Sequence, residues 1–260
     1  MDQIRTLMNQ VDCQTHLFVK DLKTNEYLIT EKMDEFFSSA SIIKVPILCA
    51  VLHYVQEHQL SINHSVDILP ENKVDFSVIT EQDLTTSTIY ELLYWMTVVS
   101  DNSATNVLID LLGFDYLNTY FQNIGLKNTK LQRKMMDFER LNQGYDNVTT
   151  ARDMADLFTM IYQQTLLPEK LNRLAIDILC KQRDYERLKR YIRDARIAHK
   201  TGSLDTVCHD VGIVYHRNGD YIIGAFLTEV KDFEMGKRWI GRISKMVYDY
   251  YESDKGGETL

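Results

Sequence analysis

The chain has 260 residues, a formal net charge of −8, and 45% hydrophobic and 25% charged residues. That length allows one large domain or two interleaved ones around a real core, in a composition ordinary for a globular protein. The acidic balance without a dense basic run argues against a nucleic-acid binder, and no stretch is expected to offer the roughly 18 apolar residues that span a bilayer.

Residues 2–10 read as a short helix. His16–Asp21 and Tyr27–Thr30 alternate as strands, and the polar run Leu22–Glu26 between them makes a hairpin. Residues 41–58 form a strongly apolar, central helix. Further helices are predicted over Thr88–Val99, Ser103–Leu112 and 114–123, with Gly113 as the stop between the last two. Residues 126–148 lack periodicity and read as a long loop. Thr149-Thr150-Ala151-Arg152-Asp153 opens a capped helix to about Gln164, and another follows Pro168 to about Lys181. After residue 194 the period becomes two: Arg196–Lys200, Val211–Tyr215 and Tyr221–Leu227 are strands, the last two joined by an Asn218-Gly219 turn. A helix over Met235–Tyr251 closes the chain, and Lys255–Glu258 is expected to fray.

This order predicts an α/β (α+β) protein. Five strands from both ends of the chain form one antiparallel sheet flanked by terminal helices, with an all-helical lobe inserted. The sheet lobe is assigned to residues 1–40 and 190–260 and the helical lobe to 41–189, with an active site between them.

Cys13, Cys49, Cys180 and Cys208 are scattered, and read as reduced buried thiols. The seven histidines show no ligand spacing, so neither a metal nor another cofactor is expected. Met1-Asp2-Gln3-Ile4-Arg5 is not the start of a secretory signal. The expectation is a cytoplasmic location, or an extracytoplasmic one if a signal has been removed.

Three short motifs carry chemistry. In Ser41-Ile42-Ile43-Lys44 a hydroxyl and an amine lie one helical turn apart. Serine needs a base to become a nucleophile, and lysine serves only when burial or positive neighbours lower its pKa. The apolar Val45-Pro46-Ile47-Leu48 that follows suits such burial. Ser100-Asp101-Asn102 ends the helix that closes near Val99, and Lys200-Thr201-Gly202-Ser203 ends a predicted strand. Each alone also reads as a turn or a strand end. Together, in this order, they form the signature of serine β-lactamases and penicillin-binding proteins.

The chain thus resembles the class A β-lactamase and penicillin-binding serine hydrolase superfamily, from about residue 15 to about 250. The resemblance implies an acyl-enzyme on Ser41, with Lys44 helping to deprotonate it and Ser100 passing a proton to the leaving nitrogen. It implies that Asn102 binds the acyl side-chain amide, and that Lys200 and Thr201 meet the substrate carboxylate. Gly202 would let the strand approach the ligand, and the backbone N–H groups of Ser41 and Ser203 would form the oxyanion hole. The implied substrate is a small β-lactam or an acyl-peptide. No nucleic acid, membrane span or second subunit is expected.

Two departures from the family bear on turnover. Class A enzymes place a water-activating glutamate in Glu-x-x-Leu-Asn, whereas here the loop reads Lys134-Met135-Met136-Asp137-Phe138-Glu139-Arg140-Leu141-Asn142. Phe138 falls in the glutamate's register, leaving Asp137 and Glu139 as candidate deacylation carboxylates. The Lys-Met-Met-Asp run also resembles the loop of relatives that process peptides ending in D-alanine. Second, Cys208-His209-Asp210 lacks the arginine that many β-lactamases use for the carboxylate; His209 is either its substitute or a polar residue of the strand. The class A disulfide is also not evident. The expected function is hydrolysis of β-lactams or related amides, as in antibiotic response. The alternatives are a D-alanyl-D-alanine peptidase or esterase that releases penicillin slowly, and a non-catalytic penicillin-binding sensor.

Overall fold

The structure is a computed structural model, which describes Ile4, Thr6, Leu7 and residues 11–253. In chain order it contains β1 (Gln14–Asp21), β2 (Tyr27–Glu31), β3 (Phe37–Ser38), a 3₁₀ turn (Ala40–Ile43), α1 (Lys44–Glu57), β4 (Ser65–Asp67), α2 (Val78–Glu81) and β5 (Thr86–Thr88). Then come α3 (Ile89–Val98), α4 (Asn102–Leu112), α5 (Phe114–Asn123), α6 (Phe138–Asn142), β6 (Val148–Thr149), α7 (Ala151–Gln163) and α8 (Glu169–Leu179). The chain ends with β7 (Arg196–Leu204), β8 (Val207–Tyr215), β9 (Tyr221–Thr228) and α9 (Phe233–Glu252). Of the expected N-terminal helix, Ile4, Thr6 and Leu7 are helical and the rest lies outside the described residues, as does the frayed end expected at 255–258.

The five long strands form one antiparallel sheet in the order β2-β1-β9-β8-β7, as the sequence pattern predicted. Strand alternation gives the sheet two apolar faces. Phe18 of β1 joins Ile43, Leu48, Phe158 and Phe226 in the core shared with the helices. Its neighbours Leu17 and Val19 face the other way, against Trp239, Ile240 and Ile243 of α9. Burying each such side chain contributes about 1.5–3 kcal/mol.

The segment Ala40–Glu57 is 18 residues long and apolar enough to cross a membrane, contrary to the expectation that no stretch would be. Its apolarity has another cause: 72% of it is buried, because α1 is the central helix of the core. Pro46 falls in the first turn of α1, where a helical N–H has no partner to lose. Local chemistry fixes the other helices too. Thr88 and Glu91 close a reciprocal capping box on α3, and Thr150 Oγ1 accepts from Asp153 N at the start of α7.

Two details differ from expectation. Residues 126–148 are not a bare loop: they contain α6, a Lys130–Val148 bridge and an Arg133–Asp146 pair at 2.9 Å with the arginine buried. In addition, β7 continues to Leu204, so Lys200-Thr201-Gly202-Ser203 lies inside the strand. Pairing with β8 sets its length, with Gly202 opposite His209 and Leu204 opposite Val207, and the glycine does not end it.

Candidate active site

β7 is an edge strand, and its free side lies against the 3₁₀ turn that carries Ser41. A side chain at Gly202 would put its Cβ 3.2 Å from Ala40 Cβ and 3.2 Å from Ser39 O. The glycine is therefore what lets the strand run so close to the serine. Ala40 and Ser100 both adopt left-handed backbone, with φ of +43° and +61°. Non-glycine residues in that region store strain, and they concentrate at functional sites.

Lys44 is fully buried at the start of α1. Its Nζ donates to Ser100 O at 2.7 Å, Ser100 Oγ at 3.1 Å and Asn102 Oδ1 at 2.9 Å. Lys200 Nζ reaches the same Ser100 Oγ at 3.1 Å and also Thr201 O at 2.8 Å. Burial and the nearby Lys200 charge hold the Lys44 pKa well below the usual lysine range, against the opposing pull of Asp101. Lys200 is pushed down to about 7, first by burial and then by Arg187, with Asp210 and Asp184 opposing.

Asp101, between Ser100 and Asn102, is structural. Its Oδ1 caps α4 by accepting from Ala104 N at 2.8 Å, and its Oδ2 accepts from Val78 N at 2.7 Å. Asn102 Nδ2 donates to Asp75 O at 3.2 Å, which ties the motif to the Asp75-Phe76 turn. Ser41 Oγ makes no hydrogen bond among the described residues and is half-buried. Ser41, Lys44, Ser100, Asn102, Lys200, Thr201, Gly202 and Ser203 thus converge on one place. The sequence paired Lys44 with Ser41, whereas the bonds of its amine run to Ser100 and Asn102.

Neither loop carboxylate bonds to Ser41, Lys44 or Ser100 among the described residues. Asp137 caps α6, accepting from Arg140 N at 3.0 Å, and Glu139 is exposed with only a long contact to Gln143. Phe138, in the register of the family's glutamate, is 49% exposed. The residue that α4 takes hold of is Met135. Asn106, one turn after Asn102 on the same face, accepts from Met135 N at 2.7 Å and donates to Met135 O at 3.2 Å. Met135 is 7% exposed. The loop is anchored to α4 at Asn106, whereas Asn142 of the Leu141-Asn142 pair is exposed at the end of α6.

His209 does not replace the missing arginine. It is buried, bonded to Ser38 O at 2.9 Å, and burial lowers its pKa to about 3, so it is neutral. The cation near this strand is Arg187, which sequence reasoning missed. It is 2% exposed and donates to Gly202 O at 3.1 Å, His209 O at 2.8 Å and Ser203 Oγ at 2.5 Å. The only hint was the arginine-rich run 181–196, which carried no periodic signal. Phe76 was missed as well. It is 78% exposed at φ +56°, and its carbonyl accepts from Asn102 N at 3.4 Å, so an exposed aromatic residue adjoins Asn102 in the backbone.

Over residues 1–251 the chain matches the family described as beta-lactamase enzyme family. It belongs to that family. This β-lactamase-family chain is 28% identical to Beta-lactamase VEB-1 of Pseudomonas aeruginosa over 242 residues, 84% of this chain and 79% of that one. Among solved structures it is similar to PBP-A, at 28% identity and a TM-score of 0.88, covering 97% of this chain and 95% of that one. The TLA-1 extended-spectrum β-lactamase, at 20% identity, shares the fold with a TM-score of 0.89 over 96% of each chain. The chain is accordingly a serine hydrolase of the β-lactamase type, acting on β-lactam amide bonds.

Proposed function

We propose that the protein is acylated at Ser41 quickly and deacylated slowly. The observation that carries this is the cluster of Lys44 and Lys200 on one Ser100 hydroxyl, with a methionine, Met135, as the loop residue bonded to Asn106 one turn after Asn102.

Lys44, its protonated form suppressed by burial, takes the Ser41 proton directly or through Ser100. Ser41 Oγ then bonds to the lactam carbon, and the carbonyl oxygen takes up the negative charge. Backbone N–H groups of Ser41 and Ser203 face that charge, a placement worth a few kcal/mol. As the C–N bond breaks, Ser100 passes its proton to the nitrogen, and the proton held by Lys44 restores Ser100. Lys200 and Thr201 hold the substrate carboxylate, Asn102 holds the acyl amide, and Arg187 braces the strand that presents them. A thioether at Met135 takes no proton from water. Deacylation therefore relies on water without a dedicated carboxylate base.

A peptidase or esterase on acyl-D-alanyl groups is the second reading. It is favoured by Met135 and by the likeness to PBP-A, a variant of which has been solved as an acyl-enzyme complex with penicillin G. Stopped-flow mixing with a chromogenic cephalosporin tests the main reading. A burst of one product per Ser41 followed by a slow steady state supports it; linear turnover from the first instant contradicts it. A thioester ending in D-alanine, turned over faster than the cephalosporin, would favour the second reading.

A further inference from the structure

Residues of the loop and of α5 line a cavity of about 480 Å³, within the range of small-ligand sites. Three cations line it, Lys130, Lys134 and Arg140, in a protein whose net charge is −8. Lys134 is paired with Asp110 at 2.6 Å. Lys130 and Arg140 have no carboxylate partner among the described residues; Arg140 stacks on Tyr145 at 4.3 Å and gives its Nε to Gln132 O at 3.2 Å. Phe114, Leu131 and Tyr145 supply apolar and aromatic wall, and the one acid, Asp137, has an oxygen engaged in capping α6.

The walls are set before any ligand arrives. Lys130 exchanges two backbone bonds with Val148, at 2.9 and 3.0 Å, and Leu131 is held through both its N–H and its C=O by Asn118. The backbone that carries Lys130 and Leu131 therefore needs no ordering by a ligand. Two uncompensated cations above apolar walls select an anionic head on an apolar body.

We propose that this cavity binds a small organic anion, a phosphate or carboxylate carried on an aromatic or alkyl body, separately from the Ser41 cleft. The lysine and the guanidinium take the head, and Phe114, Leu131 and Tyr145 take the body. The occupant spans residues 130–145, the segment that includes Met135.

The test is calorimetric titration of the whole protein with phenyl phosphate, located by hydrogen-exchange mass spectrometry. Lys130→Glu and Arg140→Gln are the variants; both side chains are exposed, and penicillin acylation of Ser41 checks that each is folded. The expected result is saturable one-to-one binding that weakens in salt, is at least tenfold weaker in either variant, and protects residues 130–145. Inorganic phosphate, lacking the body, should bind more weakly than phenyl phosphate. No saturable binding overturns the proposal. So does binding unchanged in both variants, or binding lost once Ser41 is acylated with protection at 200–203, which would place the anion at Lys200.

Discussion

Two regions that α4 joins are built in opposite ways. The acylation cluster is dry: Lys44 and Lys200 are fully buried and share one hydroxyl. The loop at 134–142 is wet, with Glu139 exposed and Asp137 spent on a helix cap. Burial favours the neutral amine of a lysine, while an exposed carboxylate is screened by solvent. The first region commits the protein to forming an acyl-enzyme, while the second provides little to hydrolyse it.

The sharpest way to break this contrast is at its centre. Ser41→Ala should abolish acylation, a loss of about 10⁴-fold or more in rate measured by stopped flow. Lys44→Met should follow, slowing acylation by about 10²–10⁴-fold while leaving the fold intact, since it removes a buried amine and keeps the volume. A Lys44→Met protein that acylates at the normal rate would move the base elsewhere.

Asp101→Ala tests whether the dry region depends on its frame. It would strip a buried acceptor from the starts of α2 and α4, for an expected cost of about 3 kcal/mol in denaturant unfolding. Unchanged stability would mean that these N–H groups find other partners.

Lys200 gives a prediction in pH. Its folded pKa is about 7 against an ordinary 10.5. Between those values the unfolded chain holds a proton that the folded protein does not, so stability from this group rises with pH across that window and is flat outside it. Lys200→Met should flatten the slope of urea midpoints recorded from pH 7 to 10, leaving the part due to Lys44. Acylation by carboxylate-bearing β-lactams should fall above about pH 7, as the same lysine loses its charge.

The smallest effects should come from the wet region. Asp137→Asn and Glu139→Gln are each expected to change the acyl-enzyme lifetime by less than about threefold, because Asp137 is engaged in capping α6 and Glu139 is exposed, where solvent screens its charge. A large increase in lifetime for either would assign the deacylation base to it.

What was legible in the sequence follows the same division. Ser41, Lys44, Ser100 and Lys200 could be read because each motif needs particular residues at fixed spacing on regular elements. The sheet could be read from the period-two runs at both ends. The loop could not, since its course depends on bonds between distant residues, such as Asn106 to Met135 and Arg133 to Asp146. Arg187 and Phe76 were invisible for a related reason: neither lies in a periodic pattern, and only the fold brings them to Gly202 and Asn102. His209 was ambiguous until its burial settled its charge.

The most direct measurement is intact-protein mass spectrometry over time after mixing with benzylpenicillin, with Ser41→Ala alongside. The expected result is a single penicilloyl adduct on the wild type that outlasts the free drug, and none on the variant. An adduct that clears as fast as it forms, and that persists only when Asp137 or Glu139 is replaced, would contradict it.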